Sequence, residues 1–317
     1  MRYLAVLILT IFLINCSSDN SNSGINPLPN FDVMWDYAHP DSTEMRFKEI
    51  LPLLTQTSEF SVSDEYNAEL LTQIARAQGL QGKFNEAAKN LEKADSLITD
   101  KMPTAKIRYL LEKGRLLNTM NQTEEANKLF FQAYEFGKKD SLDFYTLDAA
   151  HMLGFTTPLE QQLDWSLKAL DIARTSDDPR CEQWEGPLYN NIGWTYFDNK
   201  DYFHAHKMFM NDFEWRKEHN DEAGARVARW SIARSLRSMF KFDEALHIQL
   251  ALEKDLQENN LPPDGYVYEE LTELYQAKNN IPKMKEYAKK AYDVLSQDSW
   301  LMENDPNRIE RLKELSK

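Results

Sequence analysis

Apolar residues recur at the three- and four-residue spacing of amphipathic helices along most of this chain, with small residues at fixed places among them. The spacing is clearest over residues 189–209, where one predicted helix is followed closely by a second. The residues that carry it are Tyr189, Ile192, Gly193 and Tyr196 on the first helix and Ala205 and Phe209 on the second. Two antiparallel helices approach closely only where a side chain is small, so we expect close contact at Gly193 and Ala205.

The same spacing recurs before and after this stretch. Good copies are centred on Ala87, Ala126 and Ala245, and a weaker copy ends at Ala288 and Ala291. Ala87 and Ala126 are 39 residues apart, and Ala205 and Ala245 are 40 apart. A further weak copy is predicted between Phe144 and Ala173, with Gln162 in place of its alanine. The chain is therefore a series of similar helix pairs.

This pattern resembles the tetratricopeptide (TPR) repeat family over roughly residues 60–296. The resemblance implies an all-α fold, a right-handed α-solenoid of about six TPR-like helix pairs with capping helices, in residues 31–317. Stacked pairs bury a core that no single pair could bury alone. We expect an opening helix at 42–55, and a C-terminal cap at 297–317 whose last helix exposes Arg308, Arg311 and Lys313.

The N-terminus predicts a secreted protein that is held on a membrane. Arg2 precedes an apolar run from Leu4 to Ile14, and Cys16 follows two residues later. This resembles a bacterial lipoprotein signal, which implies removal of residues 1–15 and lipid attachment to Cys16. Residues 16–30 are rich in Ser, Asn and Pro and are expected to form a flexible tether. The predicted location is the cell envelope, at the outer membrane or cell surface; an uncleaved N-terminal anchor is the alternative.

Composition and net charge limit the classes of partner that this protein is expected to bind. The chain has 317 residues, of which 42% are hydrophobic, and a net charge of −14. Such an acidic surface argues against binding nucleic acid or anionic lipid headgroups. Cys16 and Cys181 are the only cysteines, so a lipid on Cys16 leaves Cys181 without a partner in the chain.

Motifs for catalysis are absent from the sequence: it contains no Gly-rich phosphate loop, nucleophile elbow or His-Glu-x-x-His. His204 and His206 are two residues apart, so on a helix they point in different directions and cannot share a metal ion. We therefore predict a protein that is not an enzyme and uses no metal or cofactor. A hydrolase with an unrecognised site is the rival interpretation.

In TPR proteins, the first helix of each pair lines the concave face. The resemblance thus assigns to that face Arg76, Arg115, Asn118, Asn190, Trp194, Arg226, Trp230, Arg234, Arg237 and Glu273. Arg226, Trp230, Arg234 and Arg237 fall within a stripe of ~80°, with Phe240 expected in the core opposite. Arginine and tryptophan together suit a carboxylate-bearing peptide or protein tail. Alternatively, the arginines pair with acids of neighbouring repeats and the tryptophans pack between helices.

These observations predict a non-catalytic protein- or peptide-binding scaffold, a lipid-anchored adaptor or assembly subunit of the bacterial envelope. A ligand sensor that closes on a small peptide or glycan is the alternative. The carboxylate clamp of chaperone adaptors needs Lys and Asn at positions that Thr72 and Arg76, or Asn190 and Trp194, occupy here. We therefore do not predict chaperone binding.

Overall fold

The computed structural model describes residues 29–56 and 64–317, and over these residues it is entirely helical, which confirms the all-α expectation. Cys16, the predicted signal segment and most of the predicted tether lie outside the described residues. A 3-10 turn spans Asp32–Met34. The α-helices are α1 Pro40–Gln56, α2 Asp64–Leu80, α3 Phe84–Leu97, α4 Pro103–Thr119, α5 Thr123–Asp140, α6 Asp143–Thr156, α7 Leu159–Thr175, α8 Pro179–Glu182, α9 Glu185–Asp198, α10 Tyr202–Glu218, α11 Glu222–Ser238, α12 Phe242–Glu258, α13 Gly265–Ala277, α14 Ile281–Leu295, α15 Ser299–Asn304 and α16 Pro306–Leu315.

Five helix pairs share one construction. In α2–α3, α4–α5, α9–α10, α11–α12 and α13–α14, three residues connect two helices that pack on each other. So short a connection forces the second helix to run back along the first. Helix α1 packs against α2, and α16 packs against α14, which places a helix at each end of the series as the sequence predicts. None of the described helices is both long and apolar enough to cross a membrane.

The third predicted pair differs from the others. The helices fall into two compact units, and the boundary lies between Thr157 and Pro158, so α6 belongs to the first unit and α7 to the second. Only two residues connect these helices. Gln162 is half-buried, and the small buried residues of α7 are Ser166, Ala169 and Ala173. The third repeat, with Gln162 in place of its alanine, therefore stays a prediction.

Close contacts between the helices of a pair occur where the sequence predicts them. A Cβ atom added to Gly193 on α9 would lie 2.4 Å from the ring of Phe209 on α10. A Cβ on Gly114 of α4 would likewise lie 2.5 Å from Phe130 on α5. Phe209 and Ala205 are fully buried. Glycine at these positions lets a buried phenylalanine fill the space between two helices.

Two expectations about exposure are wrong. Phe240 is 80% exposed instead of buried, because it lies in the turn after α11 and has the left-handed φ of 63°. The sequence pattern extends the apolar stripe of α11 past the point where the helix ends. Arg308 on α16 is largely covered, because it forms an ion pair with Glu269 of α13.

Replacing Phe240 by glycine should raise the free energy of unfolding by about 0.5–1 kcal/mol, because glycine adopts a positive φ without steric cost. Gly82 occupies the equivalent turn after α2 with φ 74°, and nothing lies within 4 Å of an added Cβ there. The reverse change, Gly82→Ala, should therefore destabilise by a similar amount. Urea unfolding of both variants measures the two changes in the free energy of unfolding. A large loss of stability in Phe240→Gly would show instead that the ring is a core residue.

Candidate partner-binding surface

Two of the predicted arginines of α11, Arg234 and Arg237, are held by one buried carboxylate of α13. Glu270 is 1% exposed and accepts a hydrogen bond of 3.1 Å from Nη1 of Arg234. Arg237 donates to the same carboxylate from Nε at 2.7 Å and from Nη2 at 2.9 Å. Burial alone would lower the pKa of Arg237, but the hydrogen bonds and charge of Glu270 outweigh it and raise that pKa. Both guanidinium groups are thus fixed between adjacent repeats.

Three aromatic rings surround the guanidinium of Arg234. Its central carbon lies 5.2 Å from the ring centroid of Trp230, 5.7 Å from that of Phe197 and 5.9 Å from that of Trp194. The two tryptophan rings are 5.8 Å apart. These distances are those of cation–π contacts. We call Trp194, Phe197, Trp230, Arg234 and the adjoining Arg237 the Trp–Arg cluster.

Hydrogen bonds fix the orientation of the two indole rings. Trp194 donates from Nε1 to Oδ1 of Asn190 at 3.2 Å, within α9. Trp230 donates from Nε1 to the carbonyl oxygen of Tyr266, the second residue of α13, at 3.1 Å. Both indoles remain partly exposed. The cluster is therefore a rigid aromatic surface across the first helices α9 and α11, held by partners on α13.

Arg226, the fourth residue of the predicted stripe, does not join this cluster. Its Nη1 atom lies 3.9 Å from Oδ2 of Asp255 on α12, and Arg229 approaches the same carboxylate to 3.5 Å. Arg226 is therefore directed toward a second helix, whereas Arg234 and Arg237 face the next first helix. The expectation of a single stripe is wrong at this residue.

In the first unit, the predicted arginines form a chain of ion pairs across α2, α4 and α6. Glu112 accepts from Arg76 at 3.2 Å and from Arg115 at 2.6 Å, and Arg115 reaches Asp148 at 2.5 Å. Burial lowers the pKa of the neighbouring His151 to about 4, so the imidazole is neutral at physiological pH. These arginines therefore follow the alternative interpretation of the sequence, in which the arginines pair with acids of neighbouring repeats.

The remaining predicted residues of the surface have local contacts. Asn118 accepts a hydrogen bond of 3.2 Å from the hydroxyl of Thr123, across the turn between α4 and α5. Glu273 forms an ion pair of 2.6 Å with Arg311 of the C-terminal helix. Both contacts join neighbouring elements of one unit, and neither residue adds to the Trp–Arg cluster.

The chain itself covers part of the first-helix surface of the first unit, which the sequence did not predict. The rings of Trp35 and Tyr37 lie 5.4 Å and 5.2 Å from the guanidinium of Arg76. Trp35 also donates to Gln73 at 2.9 Å, and the carboxylate of Asp32 accepts from Arg108 at 3.0 Å. Trp35 and Tyr37, which lie a few residues after the predicted tether, were the available clue. Arg76 is therefore covered by these side chains, whereas we expected it to be open to a partner.

The sequence did not predict two residues of the candidate surface, Phe197 and Glu270. A search for acids at a fixed distance along the chain from each predicted arginine would have found Glu270. Arg234 and Glu270 are separated by 36 residues, as are Arg76 and Glu112. Within the described ranges, no group of three or more His, Cys, Asp or Glu residues is placed to hold a metal ion. Cys181 is fully buried near the start of α9.

Comparison with known proteins assigns the fold. The sequence matches no protein-family model and no curated protein. Among solved structures, the apo form of RapI matches with a TM-score of 0.72 at 13% identity, over 87% of this chain and 76% of RapI. PilF of Pseudomonas aeruginosa matches with a TM-score of 0.54 at 12% identity, over 79% of this chain and 98% of PilF.

A third solved structure covers a similar share of this chain. It is a signal-transduction ATPase with a tetratricopeptide repeat sensor, PH0952 from Pyrococcus horikoshii, with a TM-score of 0.64 and 16% identity. The match covers 89% of this chain but only 44% of PH0952. Identities this low concern the fold alone. This chain has the fold of TPR-like repeat proteins, and its first helices carry a preformed aromatic surface.

Proposed function

We propose that this protein is a non-catalytic scaffold that binds a protein or peptide on the Trp–Arg cluster of its second unit. The observation that carries the proposal is the arginine-centred group of partly exposed aromatic rings on the first helices α9 and α11, fixed by Glu270 of α13. Tryptophan, tyrosine and arginine are the side chains that most often dominate binding energy at interfaces. A surface already rigid before binding also loses less conformational entropy when a partner docks.

The contacts of the cluster favour one kind of partner chemistry. Glu270 already occupies the donors of Arg234 and Arg237 that face it, so a partner carboxylate would bind from the outer side. The side chain of Arg237 is 24% exposed and is the more accessible of the two, since that of Arg234 is 15% exposed. We therefore infer a partner that lays an apolar or aromatic side chain on the indole rings and directs a carboxylate to Arg237.

The proposal includes a location. The apolar run from Leu4 to Ile14 followed by Cys16 supports lipid attachment at Cys16 in a bacterial cell envelope. Lipid would then hold an otherwise acidic protein on a membrane. In that setting, the scaffold acts as an adaptor or assembly subunit, which brings its partner to the membrane surface.

A ligand sensor is the second candidate, and the likeness to PH0952 favours it, because that protein is described as having a TPR sensor. A sensor requires two conformations with different affinities for the ligand. Small-angle X-ray scattering with and without a bound peptide separates the two functions. A clear fall in the radius of gyration supports the sensor, and an unchanged value supports the static scaffold.

The direct test uses crosslinking and affinity capture from native membranes. The variant Trp194→Ala with Trp230→Ala should lose at least 90% of a specific partner that the intact protein captures. Trp300→Ala is the matched control, because Trp300 is 43% exposed on α15 and does not belong to the cluster. Circular dichroism and a melting curve establish that each variant is folded. Full capture by a folded double variant would refute the proposed surface.

If the double variant is unstable, Arg237→Gln provides the second test. It keeps a hydrogen-bonding side chain beside Glu270 and removes the exposed charge. Weakened capture supports a carboxylate on the partner, and unchanged capture contradicts it.

A further inference from the structure

A groove separate from the Trp–Arg cluster crosses the second unit between α10 and α12. Its volume is about 300 Å³, and α11 lies beneath it. Its lining is mostly apolar and consists of Met210, Phe213, Arg229, Ile232, His247, Ile248 and Ala251. No residue of the Trp–Arg cluster lines it. The groove is thus on the side of the second helices, which the sequence analysis did not consider for binding.

The floor of the groove belongs to the hydrophobic core. Ile232 is 4% exposed and forms a cluster with Phe209 and Leu236, and Phe213 and Ile248 pack against that cluster. A floor built in this way cannot collapse into the groove without disturbing the core. A preformed apolar depression of this kind suits the burial of a side chain from a partner.

One end of the groove is cationic. Phe213 and Arg229 also line an adjoining pocket of about 120 Å³, together with Lys217, Glu222, Ala225 and Arg226. An apolar trough and a positively charged pocket therefore share two residues. We call the two parts together the α10–α12 groove.

The cations at this end are not fully neutralised. Lys217 pairs with Glu222 at 2.9 Å, but Arg226 and Arg229 share the single carboxylate of Asp255, at 3.9 Å and 3.5 Å. These five side chains carry three positive charges against two negative ones, in a chain whose net charge is −14. The loose contacts contrast with the bonds of 2.7 Å and 2.9 Å between Arg237 and Glu270. A second carboxylate would complete the pairing.

From this geometry, we propose that the α10–α12 groove binds a short acidic peptide segment of a partner protein. A large apolar side chain of the peptide occupies the trough over Ile232, and a neighbouring carboxylate lies against Arg226 and Arg229. A peptide fits better than a fatty acid, because Arg229 lines both parts and would interrupt the path of a continuous acyl chain. The binding is independent of the proposed function of the Trp–Arg cluster.

Fluorescence polarisation with a defined probe tests this inference. The probe is a fluorescein-labelled peptide, Gly-Ser-Asp-Phe-Asp-Ser-Gly, and the comparison peptides replace Phe by Ser or both Asp residues by Asn. The intact protein should bind the probe saturably. Either comparison peptide should bind at least tenfold more weakly, because one lacks the apolar side chain and the other lacks the carboxylates.

A closely matched pair of variants locates the binding. Met210 and Leu250 occupy equivalent positions 40 residues apart, on α10 and α12, and each is 37% exposed, but Met210 lines the groove and Leu250 does not. Met210→Asp should raise the dissociation constant at least tenfold, and Leu250→Asp should leave it within twofold. The double variant Arg226→Gln, Arg229→Gln should weaken binding of the probe. It should not weaken binding of the comparison peptide in which both Asp residues are replaced by Asn.

Four results would overturn the proposal. The first is no saturable binding of the probe at millimolar concentration. The second is equal binding by Met210→Asp and Leu250→Asp. The third is displacement of the probe by sodium laurate with a dissociation constant lower than that of the probe, which would make the groove a fatty-acid site. A loss of probe binding in the Trp194→Ala, Trp230→Ala variant would place the peptide on the Trp–Arg cluster instead and would also refute the inference.

Discussion

Replacing Glu270 by alanine should lower the free energy of unfolding by about 3–5 kcal/mol, because the change leaves two guanidinium groups without their buried carboxylate. Glu270 is 1% exposed, whereas the side chains of Arg234 and Arg237 are 15% and 24% exposed. Arg234 cannot move fully into water without breaking its contacts to the aromatic rings of the cluster. Urea unfolding, followed by tryptophan fluorescence and far-ultraviolet circular dichroism, measures the loss.

Glu310→Ala is the control for that experiment. Glu310 pairs with Lys313 at 3.4 Å, and its side chain is 60% exposed. Exposed pairs of this kind contribute at most about 1 kcal/mol. If Glu270→Ala costs no more than Glu310→Ala, the carboxylate is solvated and the Trp–Arg cluster is not the fixed surface that we describe.

Replacing Gly193 by alanine should destabilise the protein by about 1–3 kcal/mol, because the new methyl group overlaps the ring of Phe209 at 2.4 Å. Gly79 is the matched control: it also lies within a helix, but nothing is within 4 Å of an added Cβ. Gly79→Ala should therefore stabilise by about 0.5–1 kcal/mol, as expected of glycine replacement in a helix. The two substitutions are chemically identical and should differ in sign.

A second substitution tests whether overlap with Phe209 is the cause of the lower stability of Gly193→Ala. Phe209→Leu makes room at the point of contact, so it should cost less in the Gly193→Ala background than alone. Thermal unfolding of the four proteins of this cycle gives the coupling. Additive effects would mean that the close approach of α9 and α10 is not what selects glycine at position 193.

The helix pairs could be predicted because their spacing is a property of the chain itself. Gly193, Ala205 and Phe209 contact one another across a short turn, so local periodicity determines which faces meet. The third pair could not be predicted in the same way, because a glutamine stands at position 162 where the other pairs have an alanine. Phe240 was misassigned for a related reason: periodicity does not show where a helix ends.

The candidate surface was predicted in part. Helical spacing placed Trp230, Arg234 and Arg237 on one side of α11, and the structure brings them together around Glu270. The partners of those side chains depend on which residues the next repeat presents, and an amphipathic pattern does not contain that information. For the same reason, the sequence could not separate Arg226 from this group or predict the aromatic cover over Arg76.

Site-specific photocrosslinking is the most direct test of the proposed binding surface. The full chain would carry p-benzoylphenylalanine in place of Trp230, or in place of Lys254, whose side chain is 73% exposed on α12. Irradiation of native membranes should give one discrete adduct from position 230, and none of the same mass from position 254. Identical adducts from both positions, or none from position 230, would contradict a scaffold that binds its partner through the Trp–Arg cluster.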